Sequence, residues 1–312
     1  MSDAASIAAF DWPTEIQRLA RRIAPRGKSL IMTVYGDAVL PRGGGAWLGD
    51  LIALLEPLGL NERVIRTSVY RLVQDDLLSS TQVGRRSFYA LTENGSRQTS
   101  EAAKRIYARR DRRFDGAWTQ VWLQGPEADT GRALLIQELG RQGFAALTAD
   151  ILLHHGDATE TAASTAARLD RLSDVIILRV GPGGSTTPVT PSPRWLAQIW
   201  PLDALAAEYR GFLELLANPL AGLENGPAPD PMSCFLLRSL AVHAYRRIVL
   251  KDPMLPAALL PADWPGLRAE HAMAMLYDAI SEPAQAHVTA RITGVEHPAG
   301  SPEPWFRSRF KG

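Results

Sequence analysis

A single cysteine, Cys234, stands in 312 residues. One thiol forms neither an internal disulfide nor a multi-cysteine zinc site, so a reducing, cytoplasmic setting is expected. Long apolar runs are also lacking. Stretches such as 175–178 are far too short to span a bilayer, and no membrane partner is expected. Asp3 and Asp11 interrupt the first short apolar stretch, and no basic head precedes it, so the N-terminus does not read as a signal peptide. Catalytic signatures are missing too: there is no Gly-x-Ser-x-Gly elbow, no Walker loop and no dinucleotide fingerprint. No repeat recurs at a fixed period. Net charge is only +1, while apolar content of 46% and aromatic content of 7% are those of an ordinary globular protein with room for two or three domains.

What is present is unevenly distributed. Residues 1–115 carry 18 Lys/Arg against 13 Asp/Glu, a net of +5, and the remaining 16 and 20 leave the rest at −4. A basic front and an acidic back suit a protein that offers one end to a polyanion.

The order of elements sharpens that reading. Residues 1–25 read as a tail or a short helix, the helix at 14–23. An apolar run at 30–35 after Ser29 suits a helix, broken by Pro41 and Gly43-Gly44-Gly45. Trp47, Leu48, Leu51, Ile52, Leu54 and Leu55 recur at helical spacing up to Pro57-Leu58-Gly59. Asn61 is an N-cap, and Val64, Ile65, Val69, Leu72 and Val73 form the apolar stripe of a third helix. Two short strands at 78–91 meet at Gly84-Arg85-Arg86. Three helices followed by a two-stranded hairpin describe a winged helix-turn-helix, and a further basic helix runs to about 113. From 118 the texture changes to β-α-β-α-β, with a strand at 121–123, a helix at 130–143, a strand at 144–155 that forms one side of a hairpin, a helix at 159–172 and a buried-looking strand at 175–180. That order matches a small ferredoxin-like unit. A Gly/Ser/Thr/Pro-rich linker at 182–193 precedes a mainly helical last third, with helices at 194–217, 232–249 and 267–280. The expected class is α+β, in four spans: tail 1–25, winged helix with connecting helix 26–115, ferredoxin-like domain 116–190 and helical domain 191–312.

In a helix-turn-helix the second helix lies in the major groove and presents its N-terminal residues to base edges. Here that helix opens at Asn61 and leaves Arg63, Arg66, Thr67, Tyr70 and Arg71 outward. Arginine pairs in a bidentate manner with guanine, so Arg63, Arg66 and Thr67 are expected on bases and Arg71 on the backbone. Ser68 is a further phosphate or base contact. At the hairpin tip Arg85, Arg86 and Ser87 are expected to meet phosphate or the minor groove. The competing readings are a solvated helix face and a merely soluble turn. The run Arg97, Lys104, Arg105, Arg109, Arg110, Arg112 and Arg113 suits flanking phosphates or, equally, a connecting helix with a solvated basic face.

Several stretches carry a resemblance. They are 29–37 (SLIMTVYGD), 47–49 (WLG), 58–72 (LGLNERVIRTSVYRL) and 84–87 (GRRS), then 243–247 (HAYRR), 252–256 (DPMLP) and 260–266 (LPADWPG). The chain resembles the PaaX family of phenylacetate-pathway repressors over roughly 26–280, in two ordered blocks about 170 residues apart. The resemblance implies a homodimeric repressor on a palindromic operator ahead of phenylacetate catabolic genes, released by phenylacetyl-coenzyme A. It also implies that the middle domain aids dimerisation and that a helical domain follows.

A coenzyme A thioester needs cations and an apolar cleft. His243, Arg246 and Arg247 share one helix face by their spacing, Arg238 lies further round, and Tyr245, Tyr209 and Trp195 offer aromatic surface. This set is the expected effector site. The alternative is a helix that pins a carboxylate such as Glu208 or Glu214. No cofactor and no catalytic residues are expected. His154 and His155, adjacent on a strand, point to opposite faces and share no metal. An enzyme of the nuclease or thioesterase kind, built on the scattered carboxylates Asp129, Glu138, Asp150 and Asp157, is a second reading, and an RNA-binding regulator a third.

Overall fold

A lone carboxylate inside an apolar helical run must find a cation, and Asp37 finds two. In the computed structural model, which describes residues 10–110, 113–181, 192–292 and 308–311, Asp37 is 1% exposed. A π-helical turn, Tyr35–Val39, carries it into the interior. Its Oδ2 lies 2.8 Å from Arg238 Nε, and its Oδ1 lies 2.9 Å from Arg309 Nη1. Tyr107 and Tyr277 both donate to Oδ1, at 2.7 and 2.9 Å. Arg309 also donates to the carbonyls of Gly36 and Asp37. Burial alone would push the carboxyl up, but the two guanidiniums and two phenols outweigh it and hold the pKa below the ordinary value.

The chain mixes many helices with two antiparallel sheets and is an α+β protein. It forms two compact units. One comprises Met1–Arg109, Gly211–Arg247 and Arg268–Gly312; the other comprises Arg110–Arg210 and Ile248–Leu267.

The first unit begins with α1 (Trp12–Ile23), capped by Asp11. Its apolar stripe, Trp12, Ile16, Leu19 and Ile23, is buried, and Trp12 Nε1 donates to the carbonyl of Pro227 at 2.8 Å. The expected tail is therefore a packed helix from residue 12; residues 1–9 lie outside the described part. Then come α2 (Gly27–Val34), β1 (Gly45–Trp47), α3 (Leu48–Leu55), α4 (Glu62–Gln74), β2 (Leu78–Val83), β3 (Arg86–Leu91) and α5 (Glu93–Ile106). The sheet order is β1-β3-β2. β1 falls where glycines were expected only to break a helix. Gly45 pairs with Ala90, and a Cβ there would lie 2.4 Å from the Phe88 ring, so only glycine allows that close approach.

The second unit holds β4 (Trp118–Leu123), α6 (Thr130–Arg141), β5 (Ala145–Ala146), β6 (Ile151–His155), α7 (Thr159–Arg168) and β7 (Val175–Val180), with strand order β5-β6-β4-β7. Val121, Leu123 and Leu152 of the sheet pack with Leu135, Leu139, Ala162 and Ala166 of the helices. The stretch 144–155, expected as one strand, is two. β7 is not buried: Ile176, Leu178 and Val180 are 39–45% exposed on a strand that edges the sheet. α8 (Pro193–Ile199) follows, while residues 182–191 of the expected linker lie outside the described part. The last helices are α9 (Leu202–Asn225), α10 (Pro231–Val249) and α11 (Pro265–Arg291), whose residues are divided between the two units. None of the described helices is long and apolar enough to cross a membrane.

The second unit has its own buried ion pair. Asp252 accepts from Arg110 and, at 2.6 Å, from Tyr209, while Arg110 donates to Leu255 O at 2.7 Å. Arg110, expected on a solvated or phosphate-facing basic run, is thus an interior residue. Arg109 donates to Phe310 O in the first unit, and α5 ends at Ile106, short of 113. Residues 111–112 lie outside the described part.

In the first unit α10 meets α2 through polar groups. His243 is 1% exposed, with Nδ1 2.9 Å from Thr33 Oγ1. Arg246 donates to Ser29 O at 3.0 Å and to Thr33 Oγ1 at 3.1 Å. Burial, with Arg246 and Arg247 nearby, pushes His243 down to about 4, so it is neutral at neutral pH. An unfolded chain takes up that proton from its ordinary 6.5 downward, so this contribution to stability fades as pH falls from about 6.5 to about 4. Asp37 has the same proton preference over a lower range. Its contribution is intact above the ordinary carboxylate value of 3.8 and is lost only as pH falls through the lower folded value. Equilibrium unfolding from pH 8 down to about pH 2 is expected to show two acid limbs. His243→Gln flattens the upper limb, whereas Asp37→Asn, which strands two buried arginines, costs about 3–5 kcal/mol at neutral pH.

Candidate nucleic-acid interface

α4 is set by its cap and by its stripe. Gly59 takes the left-handed conformation (φ 95°) that turns the chain after α3, and Asn61 Oδ1 then accepts from Val64 N at 2.9 Å. The carboxamide oxygen of Asn61 is thus engaged in the cap, although the residue is exposed. Ile65, Val69 and Leu72 are fully or almost fully buried, which turns Arg63, Arg66, Thr67, Tyr70 and Arg71 outward, as expected. Two residues depart from the expectation. Val64, assigned to the buried stripe, is 38% exposed, and Ser68, expected to contact phosphate or base, is 8% exposed. The reason is angular: 65, 69 and 72 define the inward line, 64 lies at its margin, and 68 lies against Gly27 of α2.

The outward groups differ in readiness. Arg66 Nε bonds Glu62 Oε1 at 2.7 Å, one turn back, with both side chains about half exposed. Such a surface pair is worth under about 1 kcal/mol and exchanges readily for another anion. Thr67 Oγ1 bonds back to Arg63 O at 2.8 Å. Tyr70 is 65% exposed, an aromatic ring held out from its helix.

The hairpin β2–β3 turns at Gly84-Arg85, with Gly84 at φ +60° and Val83 opposite Arg86. Arg85 is exposed at the tip. Arg86 is not free as expected: its guanidinium stacks 4.1 Å over the Trp47 ring and lies 4.0 Å from Asp50. Register is the cause, since Arg86 already belongs to β3 and its neighbour strand β1 ends at Trp47. Ser87 donates to Gln82 Oε1 at 3.0 Å across the ladder. Beyond the hairpin, Arg97 is occupied by Glu101 and Asn94.

The residues expected for an effector do not form one open cluster. In the first unit Arg238 is fully buried on Asp37, His243 and Arg246 both reach Thr33, and Tyr245 packs on Phe212 and Phe310. Arg247 alone of the basic set is exposed. Tyr209 and Trp195 belong to the second unit, Tyr209 on Asp252 and Trp195 edge-on to Trp118. The carboxylate that α10 pins is Asp37, and neither Glu208 nor Glu214 has that role: Glu208 pairs with Lys251, and Glu214 lies 3.7 Å from Arg22.

The scattered carboxylates of the middle segment each face an arginine: Asp129 with Arg171, Glu138 with Arg141 and Arg168, Asp150 with Arg132, Asp157 with Arg179. Among the described residues no three His, Cys, Asp or Glu side chains converge. His154 and His155 do meet, with ring centroids 4.6 Å apart and planes nearly parallel, against the expected alternation. His155 closes β6, and its Nε2 lies 2.9 Å from Pro253 O.

Sequence reasoning passed over Asp37, Arg309, Asp252 and β1. A signal existed for Asp37 alone, as the one charge within the apolar run 30–40.

Two family models match the chain: PaaX-like protein over residues 26–95, and PaaX-like protein C-terminal domain over 200–290. The transcriptional repressor PaaX of Escherichia coli (strain K12) is 32% identical over 314 aligned positions, covering 96% of this chain and 94% of that protein. A solved structure of an uncharacterized protein from Mycobacterium tuberculosis aligns with a TM-score of 0.46 at 22% identity, over 77% of this chain and 90% of that one. With two family models matched in order and a curated relative aligned nearly end to end, the chain belongs to the PaaX family.

Proposed function

We propose that this protein is a DNA-binding transcriptional repressor of phenylacetate catabolic genes. In this reading residues 26–115 act as a winged helix-turn-helix, 116–190 as a ferredoxin-like domain that aids dimerisation, and 191–312 as a helical domain tied to the effector. A homodimer grips a palindromic operator in the cytoplasm, and phenylacetyl-coenzyme A or a related aryl thioester releases it.

One observation carries the reading: Arg63, Arg66, Thr67, Tyr70 and Arg71 stand outward on one capped helix, in the same unit as a hairpin whose tip bears Arg85. Donors on such a helix read base edges, and a cation at a hairpin tip meets phosphate whatever the sequence. The name of the Escherichia coli relative supports repression, and the phenylacetate operon is what the family resemblance implies. Arg247 is the basic member of the expected effector set that stays open to a ligand.

Titration of a labelled duplex from the protein's own upstream region tests this. Nanomolar binding that weakens steeply with salt and is reversed by phenylacetyl-coenzyme A is expected. Arg66→Ala is expected to cost about 1–3 kcal/mol and to relax discrimination at one base pair, while Arg85→Ala weakens all duplexes alike and lowers the salt slope by about one. A uniform loss in Arg66→Ala would remove it from the base readers.

The effector is checked by a melting panel of coenzyme A thioesters. A ligand at a hundredfold excess over its Kd adds about 2.7 kcal/mol of stability. Arg247→Ala is expected to leave DNA binding intact and to blunt release; normal release in that variant assigns the effector contact elsewhere.

A further inference from the structure

α2 begins uncapped. Arg26 occupies its N-cap position without a side-chain hydrogen bond to the first turn, and that turn holds no acidic residue. The leading amides at Gly27, Lys28 and Ser29 therefore present the positive end of the helix without an anion to meet it.

A second observation lies directly against this end. Ser68 of α4 is 8% exposed, and its hydroxyl abuts Gly27 so closely that a Cβ there would lie 2.3 Å from Oγ. Unlike Thr67 and Thr33, which bond back to carbonyls of their own helices, the Ser68 hydroxyl has no hydrogen-bond partner among the described residues. A donor left idle beside an uncapped helix end is a two-sided anion seat.

The surrounding charge agrees. Arg26 is exposed next to the seat, and Arg71 is exposed one turn beyond Ser68 on the same side of α4. Lys28 is held by Asp75, which neutralises the nearest carboxylate. Exposed Val64 lies between the seat and the outward arginines of α4, 3.1 Å from a Cβ built on Gly27. A helix in the major groove is flanked by phosphate strands, and Gly27 at the start of α2 lies against Val64 and Ser68 of α4.

We propose that the N-terminus of α2, closed by the Ser68 hydroxyl and Arg26, seats one backbone phosphate of duplex DNA beside the groove that α4 reads. This rests on the DNA-binding reading above and adds a register contact to it: the phosphate fixes how far along the duplex α4 lies, and carries no base preference of its own.

The test uses the full chain, the upstream duplex and a scrambled duplex of equal length, read by fluorescence anisotropy with melting curves alongside. Ser68→Ala is expected to weaken both duplexes about tenfold at unchanged melting temperature. Arg26→Ala lowers the salt slope by about one. Ser68→Asp supplies the missing anion from within, so melting holds or rises while both duplexes are lost; a merely structural serine would give no such opposition. Should Ser68→Asp melt early, Ser68→Ala and Arg26→Ala decide. If those two bind as the unaltered protein does, while Arg63→Ala fails, the seat is wrong and the DNA reading stands. If the unaltered protein binds neither duplex, both fall.

Discussion

Everything in the first unit is arranged around one buried carboxylate. Asp37 on its own would cost several kcal/mol to desolvate, and Arg238 and Arg309 on their own would cost as much. Together, with the phenols of Tyr107 and Tyr277 on the same oxygen, they form a closed set in which each group is tolerable only because the others are present. The five residues come from the turn after α2, the end of α5, α10, α11 and the C-terminal segment. An apolar contact at this point would tolerate sliding by a residue. A charge set with fixed donors does not, so Asp37 selects one pairing of distant segments.

This has a consequence for the reading helix. α2 packs against α4, and α2 is also the element that His243 and Arg246 hold by Thr33 and Ser29. The same eight residues thus carry contacts to α10 along one side and the uncapped end beside Ser68 at the other. Allosteric release requires an element whose position both sites bias. Under the proposed release by an effector, α2 has contacts of the right kind for that office, whereas Arg238 is locked on Asp37 in a fully buried pair.

Legibility in the sequence followed locality. The helix from Asn61, its outward arginines and the hairpin at Gly84-Arg85 rest on caps, periodicity and turn chemistry, all of which act within a few residues, and they stand where expected. The strand at 144–155 and the apolar edge strand β7 differ from expectation because neither a break in pairing nor a place at the sheet edge leaves a mark in short apolar runs. Arg86, Arg110 and Arg238 were misassigned for one shared reason. An arginine's role depends on what lies opposite in space, and Trp47, Asp252 and Asp37 are far from them or indifferent in spacing. The stretches that carry the family resemblance include both kinds: 58–72 presents the outward helix face, while Asp37 in 29–37 and Asp252 in 252–256 are interior anchors.

The charge asymmetry that first suggested a polyanion must be weighed by the same standard. Of the arginines and lysines in residues 1–115, Arg42 and Arg110 are buried, Arg18 lies on Glu15, Lys28 on Asp75, Arg97 on Glu101, and Arg86 is stacked on an indole. A net count of +5 therefore overstates what a duplex would feel from most directions. The exposed arginines outside such pairs include Arg63 and Arg71 on α4, Arg85 at the tip and Arg26 at the start of α2, with Arg21 on α1 apart from them. Interaction between exposed charges fades beyond a Debye length of about 8 Å at physiological salt, so position, more than sum, determines where a polyanion is held. In the proposed DNA-binding reading, internal pairing elsewhere on the surface would sharpen the face that α4 offers: by neutralising cations that would bind DNA in any orientation, it would leave attraction concentrated around α4 and the hairpin.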